Sequence, residues 1–520
     1  MLIFRETNGG MKDRFRDWGV YAAGFVACVA CLLPFRLGEY ELAYLADDFF
    51  YYARIAENFA DSGSPTFDGI TLTNGYHPLW LWLLAIVWKA FSAKYFFWVV
   101  NIAIVVGTVS TYMLVTSICR RWIEGRSAVR FFALWLSCFY LYIARTGMEV
   151  VLTVPIFLLG MRYVLDENFE FTPQSSFAAG LFSSIVILSR LDVSLLLGGI
   201  GLLYLLLGDD SKEHRSINAV CALTGLFPVV LYAISNKYFF GTFATVSALA
   251  KRMKHGLAPD YSVIGSLFSP FGPGVLVFVV AGLVITVLGI CCYPLVGKQS
   301  LSNNQRLIIS GTLVFPLPYY LLLSMTSQWR LFTWYDYPLI FSCTGTFLVI
   351  GILLKNSLIF TSKLGKLLAT IVTVVFYLAY LAGLKRPPQM RGFYADAVDI
   401  RNFAKTHPGR YAMGDRAGIV GYLLPNSLIQ LEGLVMDKSY LENIRQERNL
   451  ITVLRAYGIR YYITTDNITQ SDGCFLAVEP ARAGEDSAKM YGSLCSSPVA
   501  KFANNGETTT DIFDLVNEAH

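Results

Sequence analysis

For its first 384 residues the chain alternates apolar runs with short charged connections, and then it changes character. An apolar run of about 17–25 residues is what a helix needs to cross the hydrocarbon core of a bilayer, where every backbone group must be satisfied internally. Runs that read as spans fall near residues 18–35, 95–119, 129–144, 149–165, 175–188, 192–207, 217–235, 274–296, 307–325, 334–354 and 364–384. The stretch from Asp47 to Trp80 breaks the pattern. It opens on two adjacent carboxylates, continues as an amphipathic helix over residues 48–60, turns at 62–65, and ends in Asn74-Gly75-Tyr76-His77-Pro78.

Charge placement orients these elements. Arg5, Lys12, Arg14 and Arg16 precede the first run, which puts the N-terminus on the cytoplasmic side. Residues 77–91 are short for a span, carry Trp80, Trp82 and Trp88, and lead into Lys89 and Lys94. A full span there would place Arg120, Arg121, Arg126 and Arg130 outside, against the positive-inside rule. The segment therefore reads as an interfacial or re-entrant helix that returns to the outer face. With that choice the basic loops at 120–130 and 212–215 fall inside, together with Lys298, Arg306, Lys355 and Lys363. Residues 36–94 and 236–270 become outer loops, and an odd number of spans puts residues 385–520 outside.

Beyond residue 385 the sequence reads as a small soluble domain. Helices are expected at 394–405, 417–424 and 440–456, and strands at 410–413, 427–431 and 460–465. Alternation of this kind predicts an α/β domain with a mostly parallel sheet. There is no internal repeat. The fold class is thus an α-helical polytopic membrane protein (residues 1–384) with a C-terminal soluble α/β domain (385–520).

Composition agrees. Hydrophobic residues make up 55% and charged residues only 15%, with mean hydropathy +0.49, where a soluble domain carries about 25% charged residues. The first apolar run lacks a small-residue cleavage pattern and reads as a retained span. The net charge of +5 says little about partners, and no nucleic acid is expected. Eight of the ten cysteines lie in or beside apolar runs, where Cys behaves as a small hydrophobe. Cys474 and Cys495 lie in the polar part and read as a disulfide in an oxidising compartment, with two free thiols as the alternative.

Candidate chemistry gathers on the outer side. Asp47 or Asp48 could take a proton from an acceptor hydroxyl, and the neighbouring carboxylate would raise its pKa or share a cation. The plainer reading is a helix start, with Asp47 as N-cap and Asp48 favoured by the dipole. Asn74, Tyr76 and His77 close the same loop; they could hold a phosphate or sugar hydroxyl, or only shape a turn. Glu149 heads an apolar run, where an acid is costly unless paired or wetted. Arg190 and Asp192 could pair with each other, or Arg190 could face the cavity of Asp47 and Glu149. Lys251, Arg252, Lys254 and His255 form a basic cluster outside, suited to a lipid phosphate or simply solvated. Arg330, Trp334 and Tyr335 head another run from outside, as a phosphate contact or as an aromatic belt. Asp47, Asp48 and Glu149 could hold a divalent cation through oxygen, but no metal or other cofactor is assigned.

The run Asp47-Asp48-Phe49-Phe50-Tyr51-Tyr52, the Thr66-Phe67-Asp68-Gly69 and Thr73-Asn74-Gly75-Tyr76-His77-Pro78-Leu79-Trp80 motifs and Thr146-Gly147-Met148-Glu149 resemble bacterial glycosyltransferases of the GT-C superfamily. The likeness is to arabinofuranosyltransferase-like and mannosyltransferase-like members that use polyprenyl-phosphate sugars. Ser189-Arg190-Leu191-Asp192 and Gly414-Asp415-Arg416-Ala417-Gly418 are similar to further family motifs. The resemblance covers residues 18–240 and, loosely, the C-terminal domain. It implies a seven-span module whose first outer loop carries two juxtamembrane helices, here about 48–61 and 77–91. It implies that the first acidic residue of that loop, Asp47 or Asp48, is the catalytic base. It also implies that the 236–270 loop helps bind the donor, and that the C-terminal domain helps bind acceptor or carbohydrate. The expected donor is a polyprenyl-phosphate monosaccharide, with arabinofuranose favoured; the expected acceptor is a surface glycan, glycolipid or protein. In a bacterium the chain would lie in the inner membrane with its site on the periplasmic side. A transporter or flippase of lipid-linked glycans is the alternative from another class, but it would place charges near the membrane midplane. A polymerase or ligase is a second alternative, against which the paired aspartates argue.

Overall fold

The structure is a computed structural model that describes residues 18–32, 45–123, 126–166, 168–208, 210–268, 275–297, 301–354, 388–465, 468–469, 473–504 and 509–517. The run read as a span at 364–384 lies outside the described residues. Among the described residues, five helices are long and apolar enough to cross a membrane: Tyr95–Cys119, Arg126–Ala144, Val277–Leu295, Asn303–Thr326 and Thr333–Leu353. Gly19–Cys31, Val150–Val164, Pro173–Ser189 and Leu191–Leu207 are shorter apolar helices at positions expected to be spans.

Two expectations change. Residues 217–235 do not form one straight helix. Lys212–Gly225 and Phe227–Phe240 meet at 47°. Pro228 sits in the first turn of the second helix, where its missing N–H costs nothing but ends the ladder of the first. Gly180 and Gly225 bring the first of these helices against Pro173–Ser189, backbone on backbone, and Ser184 Oγ donates to the Gly225 carbonyl (3.1 Å). Second, residues 78–119 form one continuous helix rather than an interfacial helix and a separate span. At about 1.5 Å per residue it is about twice the thickness of the hydrocarbon core, so only the Tyr95–Cys119 part has the length and composition of a span. Ser92-Ala93-Lys94 contains no Pro or Gly to break the helix. Lys89 Nζ instead reaches back to the Ala60 carbonyl (3.2 Å).

The loop after the first apolar helix includes helix Asp47–Ser62, with two carboxylates in its first turn and left-handed Gly63 (φ 75°) closing its end. Its apolar face, Phe49 to Ala53 with Ile55 and Ala56, is buried. Phe49 packs edge-on and stacked against Phe97 and Phe96. The turn before Val150 lies against it: Ala46 N–H donates to the Thr146 carbonyl (3.0 Å) and Trp80 Nε1 to the Gly147 carbonyl (3.1 Å). Gly147 has φ 80°, and Phe49 and Leu45 leave no room there for a Cβ.

The C-terminal domain holds two sheets. Strands β1 (Tyr411–Met413), β2 (Leu428–Gln430) and β3 (Tyr461–Thr464) are parallel in the order β2-β1-β3. β7 (Ala500–Phe502) and β8 (Thr510–Asp514) extend this sheet antiparallel. Strands β4 (Ile468–Thr469), β5 (Phe475–Glu479) and β6 (Met490–Leu494) make an antiparallel sheet of their own. The parallel core is as expected, but the domain is mixed because the later strands return antiparallel. The expected helix 440–456 is two, Lys438–Arg445 and Leu450–Ala456, with Glu447 left-handed between them (φ 49°) and Asn449 capping the second. Cys474 and Cys495 form the expected disulfide.

This domain packs on the first loop. Thr73 Oγ1 donates to the Met436 carbonyl (2.9 Å), Ser427 Oγ to the Asp68 carbonyl (2.8 Å), and Arg410 pairs with Asp68 (3.2 Å). The loop that follows helix Phe227–Phe240 joins the same assembly. Lys254 forms an antiparallel bridge with Ser487, and His255 N–H donates to the Asp486 carbonyl (2.9 Å). The first loop, the second loop and the C-terminal domain therefore share one face of the bundle.

Candidate active site

The two adjacent aspartates face different ways. On a helix, neighbours i and i+1 point about 100° apart, so both cannot address one cleft. Asp47 turns to the C-terminal domain, where its Oδ2 accepts from Gly418 N–H (3.0 Å) and its Oδ1 from Ile419 N–H (2.8 Å). Asp47 therefore satisfies two orphan amides of helix Ala417–Leu423, and Gly418 is required because a Cβ there would collide with Asp47. Asp48 is not held in this way. Among the described residues neither of its carboxylate oxygens takes a hydrogen bond, and its electrostatic neighbours are Lys251, Glu149 and Asp415.

Burial raises the Asp47 pKa to about 7, with the Ile419 amide opposing and Asp48 adding to the rise. Burial also raises Asp48, to about 6, with Lys251 holding it down and Glu149 and Asp415 pushing it up. A half-buried carboxylate poised near neutrality and free of partners has the properties of a general base.

Lys251 ends helix Val246–Ala250, which Asn74 fixes in place: Asn74 Oδ1 accepts from Val246 N–H (2.9 Å) and Nδ2 donates to the Ala244 carbonyl (3.3 Å). Lys251 Nζ donates to Tyr335 Oη (2.8 Å). Burial would lower its pKa, but Tyr335 and Asp48 reverse the shift and leave it raised. The ammonium stays charged, and Asp48 acts on it electrostatically.

The neighbouring wall, which shares Tyr335 with Lys251, is locked. Arg190, buried, pairs with Glu149 through Nη1, and with Asp192 through Nε (2.9 Å) and Nη2 (3.1 Å). Asp192 also accepts from Tyr319 Oη (2.6 Å) and Tyr337 Oη (3.1 Å). Tyr335 and Tyr337 stack under the guanidinium. Glu149, 1% exposed, accepts in addition from Tyr52 Oη (3.3 Å). Arg190 thus pairs with Asp192 and also binds Glu149, while Asp47 turns away to the C-terminal domain. Three of the five Arg190 N–H groups are used in these pairs.

The basic cluster of the second loop is likewise divided. Only Lys251 turns inward. Arg252 is exposed, Lys254 Nζ donates to the Ala258 carbonyl (2.6 Å), and exposed His255 lies 3.4 Å from Glu447. Arg330 is exposed, while Trp334 is buried and stacked on Phe332 (4.8 Å). Tyr76 is buried. Asp47, Asp48 and Glu149 do not converge: among the described residues no three His, Cys, Asp or Glu side chains are placed to hold a metal ion.

Sequence reasoning passed over the strand ends of the C-terminal domain. Asp415 follows β1 and buried Glu432 follows β2, each two residues past the strand, and both act electrostatically on Asp47 and Asp48 or feel them. Burial, then Asp415 and Glu479, push the Glu432 carboxyl well up. The carboxyl ends of parallel strands are where open α/β sheets place ligands, and the Gly414–Gly418 motif was the available signal.

No protein-family model matches the sequence, and no curated protein does. Solved structures do. The chain superposes on ArnT from Cupriavidus metallidurans, a structure with bound undecaprenyl phosphate, at TM-score 0.55 and 12% identity, covering 86% of this chain and 93% of that one. It superposes on the oligosaccharyltransferase of Archaeoglobus fulgidus, in its apo form, at TM-score 0.54 and 10% identity, covering 87% and 70%. At these identities the likeness is one of fold.

Proposed function

We propose that the protein is a membrane glycosyltransferase that moves a monosaccharide from a lipid-phosphate donor to an acceptor hydroxyl, with Asp48 rather than Asp47 as general base. One observation carries this reading: among the described residues the Asp48 carboxylate takes no hydrogen bond, and it and the charged Lys251 ammonium act on each other electrostatically. The GT-C fold, shared with a lipid-phosphate-bound structure, supports the same reading.

The acceptor oxygen attacks the anomeric carbon as its proton passes to the Asp48 carboxylate. The bond from that carbon to the phosphate oxygen breaks, and its electron pair leaves with the polyprenyl phosphate beside Lys251. Two effects lower the barrier: the cleft aligns the reactants, and a fixed cation meets the charge as it develops. A single inward cation suits a phosphodiester of one negative charge. The resemblance of the first-loop motifs favours arabinofuranose as the sugar, and the carboxylates at the strand ends suit an acceptor rich in hydroxyls. An envelope glycan on the outer face of a bacterial inner membrane fits both.

The test is transfer by purified protein from synthetic polyprenyl-phosphate arabinofuranose or mannose to a panel of glycan and peptide acceptors, followed by mass. Product from one donor that disappears in Asp48→Asn is expected. Full turnover by that variant would overturn the base assignment, and absence of lipid-phosphate binding would overturn the donor class.

A further inference from the structure

That mechanism leaves His77 without a task, although it borders the cleft and its ring is held in one orientation. His77 ends the first outer loop, directly before Pro78 starts the long helix. The Leu191 backbone N–H donates to its Nδ1 (3.1 Å). A ring nitrogen that accepts cannot carry the proton, so the neutral ring carries it on Nε2. The His77 backbone N–H donates to Tyr52 Oη (3.1 Å), and Tyr52 in turn donates to Glu149. Nε2 lies 3.6 Å from Glu149 Oε1, outside hydrogen-bond range, and Glu149 is already held by Arg190 and Tyr52. The His77 side chain is 25% exposed where that of Glu149 is 1%. Among the described residues its proton therefore has no acceptor within hydrogen-bond range.

The groups around the ring are two acids, Glu149 and Asp192, and two cations, Arg190 and Lys251, together with Tyr52. Burial lowers the imidazole pKa, Glu149 opposes, and Arg190 and Lys251 add to the lowering. The ring stays neutral at physiological pH.

We propose that His77 is a catalytic residue of the donor site: a neutral imidazole of fixed tautomer whose Nε2–H donates to a phosphate oxygen of the lipid-linked donor, beside Lys251. This rests on the glycosyltransferase reading. The histidine transfers no proton; its hydrogen bond is kept from bound donor to departing lipid phosphate.

Two isosteric variants separate the two nitrogens. His77→Asn keeps an acceptor where Nδ1 stood and loses the cleft-facing donor. His77→Gln keeps a donor near Nε2 and leaves the Leu191 N–H unpaired. Binding of geranylgeranyl phosphate to the purified full-length protein is measured by calorimetry, and the melting temperature of each variant alongside it. The expected result is a crossed order. His77→Asn melts no lower than His77→Gln but binds the phosphate about 10- to 100-fold more weakly than the unaltered protein, the value of one hydrogen bond to a charged group, while His77→Gln retains most of the affinity. Geranylgeraniol, which lacks the phosphate, binds all three proteins alike. Unchanged affinity in His77→Asn, or equal loss in both variants, overturns the role of Nε2. Failure of the unaltered protein to bind the phosphate overturns the donor reading on which the proposal rests.

Discussion

The two walls of the cleft follow opposite electrostatic plans. On the wall formed by residues 149 and 190–192 the charges are spent on one another: Arg190 serves Glu149 and Asp192, and Tyr52, Tyr319 and Tyr337 fill remaining acceptor positions. On the wall formed by Asp48 and Lys251 the charges face each other across space, and only Lys251 has a hydrogen-bond partner, Tyr335. The first arrangement builds a rigid scaffold from groups that would be costly alone; the second holds charge in reserve for a ligand. A charged residue at the edge of a membrane is thus no guide to chemistry until its partners are counted.

The sharpest way to break this contrast is Asp48→Asn. If Asp48 is the free base, turnover should fall roughly 10²- to 10⁴-fold, with the melting temperature close to that of the unaltered protein. A large loss of stability instead would place Asp48 with the scaffold. Arg190→Met tests the other wall. It leaves buried Glu149 without its cation beside the half-buried Asp192, and breaking a buried pair costs about 3–5 kcal/mol. Thermal unfolding in detergent should show the loss, and adding Glu149→Gln should recover part of it. A stable Arg190→Met protein would mean that the network is wetter than its geometry indicates.

Lys251→Met sharpens the first wall through pH. Asp48 has a pKa of about 6 and acts as base only when ionised, so turnover should fall as pH drops through about 6. Lys251 holds that value down. Its removal should move the acidic limb to higher pH, and should weaken turnover at the plateau about 10- to 100-fold by removing a charged contact to phosphate. A limb that stays in place would separate Lys251 from Asp48 and undo the pairing on which the cleft depends.

Much of this was legible in the sequence because it is local. The acidic start and apolar face of helix Asp47–Ser62, the disulfide between Cys474 and Cys495, and the parallel order behind Tyr411, Leu428 and Tyr461 follow from short-range patterns. What escaped depends on distant contacts. The four basic residues at 251–255 are adjacent in sequence, yet they end a short helix and enter a loop, so they point apart. The break expected near residue 93 came from counting charges across loops, and nothing in the backbone there requires one. Above all, which of two adjacent aspartates enters the cleft is decided by Gly418 and Ile419, some 370 residues away.

That last decision gives the prediction of smallest effect on turnover. Asp47→Asn preserves size and one acceptor oxygen but turns an amide toward either Gly418 N–H or Ile419 N–H, so one buried donor loses its partner at a cost of about 1–3 kcal/mol. The loss falls on the docking of the C-terminal domain, and should appear as faster proteolysis between the domain and the bundle, while turnover falls only a few-fold. The pH dependence separates the aspartates further. The Asp47 pKa is raised in the folded protein to about 7, so the native state binds the extra proton. Its contribution to stability is full at pH values below the ordinary aspartate range and is lost as pH rises toward 7. Asp47→Asn should flatten that part of the stability profile and leave the acidic limb of turnover, set by Asp48, where it was. If Asp47→Asn moves the limb of turnover instead, Asp47 is the base and the two walls exchange their meaning.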